Sequence, residues 1–251
     1  MKCGRKAIMW IALVLCLVCA VLLALALHSR AEHAKPASKD PEGAIAAQED
    51  EDRTVDVPVD FAAWQERNPD VYAWIEYPGT NVDYPIVQSA KDDAYYLRRD
   101  IDGKEAVAGS LYTEHTYNSK TFDDPVTVIY GHNMANRTMF GGLQSHIEAA
   151  DLASTEEYFY VYLPGRILTY RVVGGAPGDD AHILYYNDFS DPTGFSNYFG
   201  NLYAQSGEHV NLPGLLRPSP DDRVVILATC MNGEKYLRYL IIGVLTDDTA
   251  D

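Results

Sequence analysis

The feature that most constrains the fold is a pair of apolar runs near the C-terminus of this 251-residue chain. The first run, Val224 to Cys230, reads VVILATC and is rich in β-branched residues. Short apolar runs of this kind are typical of buried strands. After a turn-like segment comes a second run, Tyr236 to Leu245, whose single charged residue is Arg238. The pattern predicts a buried β-hairpin with a cysteine at the end of its first strand.

Short strand-like segments separated by turns recur along the rest of the chain, and few segments have helical spacing. Helices are predicted from Phe61 to Arg67 after an Asp60 cap, from Ser89 through Arg98, at Met139 to His146, after a capping box at Ser154 to Glu157, and from Asp191 or Thr193 through Leu202. The last lies inside a long Gly-, Pro- and Asp-rich segment, 174–220. Many short strands and few helices predict a mainly β fold, a barrel or sandwich with peripheral helices.

The N-terminal part predicts a membrane protein. Residues 7–27 form a run of 21 residues without a charge, which is long enough to span a bilayer. Basic residues before the run favour a cytoplasmic tail at 1–6. We therefore expect a single-pass anchor at 7–27, an acidic stalk at 28–54 and a domain at 55–251 outside the cell. A cleaved signal peptide is the alternative, because Ala24 to Ala26 resembles a small-x-small cleavage site.

Charge and cysteine content narrow the function further. The formal net charge is −16, and residues 1–53 contribute nothing to it because their charges balance. An acidic domain is a poor candidate for binding nucleic acid, so no nucleic-acid partner is expected. Cys230 is the only cysteine after the predicted anchor. A lone thiol in an exported domain indicates either a reactive group or a buried structural cysteine.

A histidine and an arginine are candidates to act with this thiol. His132 closely follows the predicted strand Val126 to Tyr130, so it is expected at a strand end, as is Cys230. In such a pair the thiolate attacks a carbonyl carbon and the imidazolium protonates the departing amine. If the turn pairs Cys230 with Tyr236, then Ala228 lies opposite Arg238. Alternation of side chains would then put Cys230, Ala228 and Arg238 on one face of the hairpin. A register slip of one residue would instead turn the arginine to solvent.

These residues resemble the motifs of the sortase family. Ile226 to Cys230 is similar to the signature T-L-x-T-C, with isoleucine in place of the first threonine, and Arg238 is similar to the later family arginine. Tyr130 to Met134 is similar to the histidine motif. Other segments resemble class B in particular: Asn68-Pro69-Asp70, Ala73-Trp74-Ile75, Pro78-Gly79-Thr80, Asp83-Tyr84-Pro85, Val87-Gln88 and Tyr95-Tyr96-Leu97. The resemblance extends over 61–245.

The resemblance implies an eight-stranded barrel with an N-terminal helical extension and a helix in the loop before the cysteine strand. It implies a cysteine transpeptidase on the outside of a Gram-positive membrane, with no cofactor and no metal. Cys230 would be the nucleophile, His132 the general acid and base, and Arg238 the donor to the oxyanion or substrate carbonyl. The neighbouring residues Thr229, Asn133 and Ala228 would bind substrate.

The implied substrate is the C-terminal sorting signal of an exported surface protein, cut after a threonine. The acceptor would be an amine from the peptidoglycan precursor lipid II or from a pilin lysine. Two alternatives remain open from the sequence. One is a thiol hydrolase that resolves the same acyl-enzyme with water, and the other is a non-catalytic exported β-domain in which Cys230 is inert.

Overall fold

The computed structural model describes residues 55–214, 216–234 and 236–250. The predicted tail, anchor and stalk at 1–6, 7–27 and 28–54 lie outside the described residues. Within the described residues, no helix has both the length and the apolar character needed to cross a membrane.

The described residues form a closed barrel of eight strands in the order β1-β2-β3-β4-β7-β8-β6-β5. The strands are β1 (Val71–Tyr77), β2 (Val82–Val87), β3 (Leu111–Tyr112), β4 (Val126–Tyr130), β5 (Tyr158–Leu163), β6 (Arg166–Asp179), β7 (Val224–Cys230) and β8 (Leu237–Asp248). The mainly β fold class and the eight-stranded barrel are therefore confirmed. Closure pairs every strand on both sides, which removes exposed sheet edges.

Two parallel pairs, β2 with β3 and β4 with β7, interrupt an otherwise antiparallel barrel. Parallel strands need a long crossover connection. Between β4 and β7 the chain supplies one helix, the hairpin β5–β6 and then two further helices. As a result β7 enters the barrel between β4 and β8, and the C-terminal ends of β4 and β7 lie at the same rim.

In the part of the chain that the structure describes, four short α-helices and one 3₁₀ helix lie around the barrel. They are α1 (Phe61–Arg67), the 3₁₀ helix (Tyr95–Arg98), α2 (Leu143–Ala149), α3 (Ile183–Tyr186) and α4 (Pro192–Tyr203). The predicted N-caps of α1 and α4 are present, because the Asp60 carboxylate accepts from the N–H of Ala63 at 3.0 Å and that of Asp191 accepts from Thr193 at 3.1 Å.

Three predicted helices differ from the structure. The helix predicted at Met139 to His146 runs instead from Leu143 to Ala149, since Met139 has a positive φ of 55°. The Ser89 hydroxyl accepts from backbone N–H groups in a turn, at 3.3 Å in each case, and only the 3₁₀ helix forms later in that segment. No helix follows Ser154. There the Glu157 carboxylate reaches a tertiary partner instead of a helix end, accepting a 2.6 Å hydrogen bond from the Tyr77 hydroxyl while His146 lies at 2.9 Å. At Glu157 a contact distant in sequence thus takes the place of the local capping interaction.

Alternation along β7 divides the core into two parts. Val225 and Leu227 point into the barrel, where they join the main apolar cluster. Ile226 and Ala228 point outward into a second cluster, which α4 covers with Phe195 and other side chains. Burying an aromatic side chain contributes about 2–3 kcal/mol. This packing holds α4 and the loop that contains it against the outer face of β4, β7 and β8.

The connection between β6 and β7 differs in extent from the predicted loop at 174–220. Strand β6 runs to Asp179, so its last residues pair with β8 instead of forming loop. We call residues 180–223 the β6–β7 segment. It contains α3 and α4, so the helix predicted in the loop before the cysteine strand is present.

Candidate active site

The first two candidate residues are brought together by the parallel pairing of β4 and β7. The register pairs Tyr130 with Ala228, and the Gly131 N–H donates to the Ala228 carbonyl at 3.1 Å. His132 and Cys230 each follow this pair by two residues, and both line the same cavity. The two residues are far apart in sequence, and the backbone hydrogen bonds between β4 and β7 hold the strands that precede or contain them side by side.

The third candidate lies on the opposite side of the cysteine strand. Cys230 pairs with Arg238 across β7 and β8. The predicted pairing with Tyr236 is therefore wrong by two residues, because the turn is longer than expected and the Met231 N–H donates to the Leu237 carbonyl at 3.1 Å. A shift of two leaves every side chain on its predicted face, so Arg238 still shares a face with Cys230.

The pairing type also sets how close the two side chains come. In an antiparallel pair, hydrogen-bonded and non-hydrogen-bonded positions alternate, and side chains approach more closely at the latter, where Cα atoms are about 4.5 Å apart. Met231 and Leu237 occupy a hydrogen-bonded position. Cys230 and Arg238, one step away, therefore occupy the closer type. His132 follows the end of β4, the strand on the other side of β7, and we call His132, Cys230 and Arg238 the row.

This row opens onto a cavity of about 230 Å³ between the barrel and the start of the β6–β7 segment. Its lining includes all three residues of the row, and Cys230 is exposed there as a free thiol. The structure therefore excludes the alternative that Cys230 is a buried core residue. Apolar side chains such as Leu97 and Ile183 line other parts of the same cavity.

The orientation of His132 is fixed by a backbone carbonyl. Its Nε2 atom lies 2.7 Å from the Leu97 oxygen at the 3₁₀ helix. A carbonyl can only accept a hydrogen bond, so the proton is on Nε2 and Nδ1 remains for exchange with other groups. The preceding residue must be small, because a Cβ on Gly131 would collide with the side chains of Leu111 and Phe140. Close packing thus sets the backbone that presents the imidazole.

Arg238 has no acidic partner among the described residues. It is half-buried, its guanidinium contacts only the Leu237 carbonyl at 3.4 Å among hydrogen-bonding groups, and no carboxylate of the described residues lies within ion-pair distance. A half-buried cation without a counter-ion is costly, and it is free to donate to an anionic or carbonyl oxygen in the cavity.

The three predicted substrate-binding residues differ in their surroundings. Ala228 lines the cavity and precedes Cys230 by two residues on the same face of β7. The Asn133 side chain is occupied within the protein, since Nδ2 donates to the Cys230 carbonyl at 2.7 Å and to Asn232 Oδ1 at 2.9 Å. Thr229 also borders the cavity, but it is only 2% exposed and by alternation its side chain points away from the face of Cys230.

Several cavity residues were not identified from the sequence. Leu97 acts through its backbone oxygen, which no side-chain pattern reveals. Glu114 and His182 also line the cavity, and the nitrogen Nε2 of His182 lies 2.9 Å from the oxygen Oε2 of Glu114. Burial raises the pKa of Glu114, and burial together with this carboxylate raises the pKa of the neighbouring Tyr130 hydroxyl. The sequence did contain one signal for Glu114, because an acidic residue directly after a short predicted strand is a candidate for a site at the strand end.

Comparison with known proteins gives the same family as the motifs. No family model matches the chain. Sortase B of Listeria monocytogenes serovar 1/2a is 31% identical over 174 residues, which cover 68% of this chain and 67% of the relative. The chain belongs to the sortase B family. Membership places it among the cysteine transpeptidases, which are extracellular enzymes.

Solved structures agree with the sortase B fold. A Bacillus anthracis protein described as similar to sortase B is 26% identical, with a TM-score of 0.61 and coverage of 74% of this chain and 82% of that chain. A Staphylococcus aureus sortase B–substrate complex has a TM-score of 0.62 at 19% identity, covering 74% of this chain and 84% of the other. The second likeness concerns the barrel alone.

Proposed function

We propose that this sortase B homologue cleaves a C-terminal sorting signal after a threonine and transfers the acyl group to an amine. The observation that supports the proposal most is the row of His132, Cys230 and Arg238 at one cavity. A nucleophile, a proton carrier and an oxyanion donor are the three groups that acyl transfer requires. The solved complex of Staphylococcus aureus sortase B with a substrate also supports a sorting signal as the substrate class.

In the first half-reaction, the Cys230 sulfur attacks the threonine carbonyl carbon as a thiolate. The carbonyl π electrons move onto oxygen, and Arg238 donates hydrogen bonds to that oxyanion. The carbon–nitrogen bond then breaks, and protonated His132 gives its proton to the departing amine. The products are a thioester on Cys230 and the released C-terminal fragment.

In the second half-reaction, an acceptor amine attacks the thioester carbon and gives a proton to His132. The carbon–sulfur bond breaks, and the thiolate and protonated imidazole are restored. The acceptor amine comes from lipid II or a pilin lysine, and residues 7–27 anchor the enzyme in the membrane with the barrel outside the cell. No metal or organic cofactor takes part in these steps.

The test offers sorting-signal peptides to the full-length chain, with and without a soluble amine. We expect mass spectrometry to find an acyl group on Cys230, and the amine to convert the released acid into an amide. Cys230→Ala should abolish cleavage and His132→Ala should reduce it nearly as far. Unchanged cleavage by Cys230→Ala would refute the enzyme proposal, whereas acid as the only product at saturating amine would indicate the hydrolase.

A further inference from the structure

A carboxylate and an imidazole from distant parts of the chain form part of the wall of the active-site cavity. Glu114 follows β3, and His182 lies in the β6–β7 segment directly before α3. Both line the cavity that contains Cys230, and their facing atoms, Oε2 and Nε2, are 2.9 Å apart. The pair therefore connects the barrel wall to the segment that covers it.

The Glu114 carboxylate is in an unusual setting for an acidic residue. The residue is 8% exposed, and no lysine or arginine of the described residues pairs with it. Its Oε2 atom is fully buried without a well-aligned hydrogen bond, and the nearby Tyr130 hydroxyl is also unsatisfied. A buried carboxylate is costly unless a nearby group stabilises it, so the approach of His182 is energetically important.

His182 is held by both of its ring nitrogens. Nδ1 accepts the backbone N–H of Tyr185 at 3.1 Å and so caps α3. Because Nδ1 accepts, the proton is on Nε2, the nitrogen that faces Glu114. The Tyr117 ring packs against the imidazole with centroids 4.8 Å apart. This one side chain therefore both begins α3 and fixes it to the barrel.

The neighbours of His182 belong to the same cavity wall. Asp180, Ala181 and Ile183 line the cavity on either side of it. Their positions in the cavity that contains Cys230 depend on where the β6–β7 segment is held. On this side of the cavity the segment is exposed beyond Ile183, since Tyr185 and Tyr186 of α3 are 66% and 70% accessible. Ile183 itself is buried and Leu184 packs against the second apolar cluster, so apolar packing holds one face of α3 and the contact between His182 and Glu114 holds its first turn at the cavity.

We propose that the Glu114–His182 contact, called here the wall bridge, positions the start of the β6–β7 segment so that the sorting-signal site is formed before substrate binds. The inference rests on the proposed function. His182 is thus a positioning residue for peptide binding, and Glu114 acts through it. Without the bridge, part of the binding free energy would be spent on ordering the segment.

The chain offers variants that separate the bridge from the helix cap. His182→Asn keeps a side-chain acceptor for the Tyr185 N–H, because asparagine is a favoured N-cap, but it is too short to reach Glu114. Glu114→Gln keeps the size and an acceptor oxygen, whereas Glu114→Ala removes both. The matched control is His209→Asn. His209 lies in the same segment and forms a 2.7 Å contact with Glu148, away from the cavity.

For the full-length chain, His182→Asn and Glu114→Ala should each raise KM for a sorting-signal peptide roughly tenfold, the effect of losing one interaction with a buried charged group. The kcat should stay within about twofold, because the row at Cys230 is untouched. The double variant should be no worse than either single one. Glu114→Gln should recover most of the affinity, and His209→Asn should resemble the wild type.

The bridge proposal is overturned if His182→Asn keeps the wild-type KM, if the two effects add, or if His209→Asn raises KM equally. Should Glu114→Ala fail to fold, His182→Asn alone still decides, because its cap is preserved. Hydrogen exchange separates this test from the proposed function. Exchange at residues 181–190 should rise in His182→Asn but not in His209→Asn, whether or not the wild type cleaves any peptide.

Discussion

The sharpest prediction concerns Asn133, whose amide holds the nucleophile instead of facing the cavity. Both of its N–H groups are used, by the Cys230 carbonyl at 2.7 Å and by Asn232 at 2.9 Å. Asn133→Ala removes both hydrogen bonds, each contributing about 0.5–1.5 kcal/mol. Because the site is half-buried, we expect a loss of about 1–2 kcal/mol in the free energy of unfolding.

The kinetic effect should be larger than the effect on stability. The Cys230 carbonyl belongs to the residue that attacks, and a displacement of about 1 Å can reduce the rate of a positioned reaction about a hundredfold. We therefore expect Asn133→Ala to lower kcat by about ten- to a hundredfold. The KM should change little, since the N–H groups of Asn133 are occupied within the protein.

The assay measures peptide cleavage and urea unfolding for the same preparations. Asn133→Asp adds a sharper arm, because its oxygens would face the Cys230 carbonyl and Asn232 Oδ1, placing acceptors against acceptors. It should therefore be more damaging than Asn133→Ala. The matched control is Asn136→Ala in the same loop. Among the described residues, the Asn136 side-chain oxygen accepts only from Thr138, from the N–H at 3.2 Å and from the hydroxyl at 2.7 Å. Asn136→Ala should therefore leave kcat unchanged.

The reasoning fails if Asn133→Ala raises KM while kcat and stability stay at wild-type values. That result would assign the amide to substrate binding, as the sequence resemblance first implied. An equal effect of Asn136→Ala would instead show that the loop responds to any truncation.

Two further predictions test other contacts. Arg238→Met should lower kcat about 10²- to 10³-fold by removing the oxyanion donor. Arg238→Lys should recover only part of the lost kcat, because lysine lacks the planar guanidinium fork. A wild-type kcat in Arg238→Met would contradict this role. Hydrogen bonds from Arg166 lower the pKa of Asp248 to about 2, so Asp248→Asn should cost about 2 kcal/mol at pH 7. Because the folded pKa is depressed, this difference should be present above about pH 5 and vanish as the pH falls towards 2. Urea unfolding of the variant and the wild type across this pH range measures it. An unchanged difference at low pH would exclude the linkage.

The sequence predicted the barrel well because its strands contain strong local signals. The run from Val224 to Cys230 and the run from Val126 to Tyr130 are strands with the predicted bounds. The caps at Asp60 and Asp191 are formed by short-range hydrogen bonds, so local sequence was again sufficient. Signals confined to a few neighbouring residues survive folding when no distant partner competes for them.

Predictions failed where a distant partner decided the outcome. The capping box that ends at Glu157 was lost to Tyr77, which is far away in sequence. The wall bridge was missed for the same reason, because nothing near Glu114 in the sequence indicates that His182 will meet it. The exact β7–β8 register was also missed, because turn length depends on the Met231–Leu237 hydrogen bond and not on the strand patterns.

Burial on both faces of β7 explains why the thiol is exposed at all. Val225 and Leu227 are fully buried inside the barrel, and Ile226 is fully buried outside it. A slip of one residue would turn Cys230 into the barrel and Thr229 out to the cavity. Such a slip would also exchange the two apolar sets along the whole strand, each matched in shape to its own cluster. The apolar packing that stabilises the barrel therefore also fixes which side of β7 presents the nucleophile, and the parallel partner β4 brings His132 to that same side.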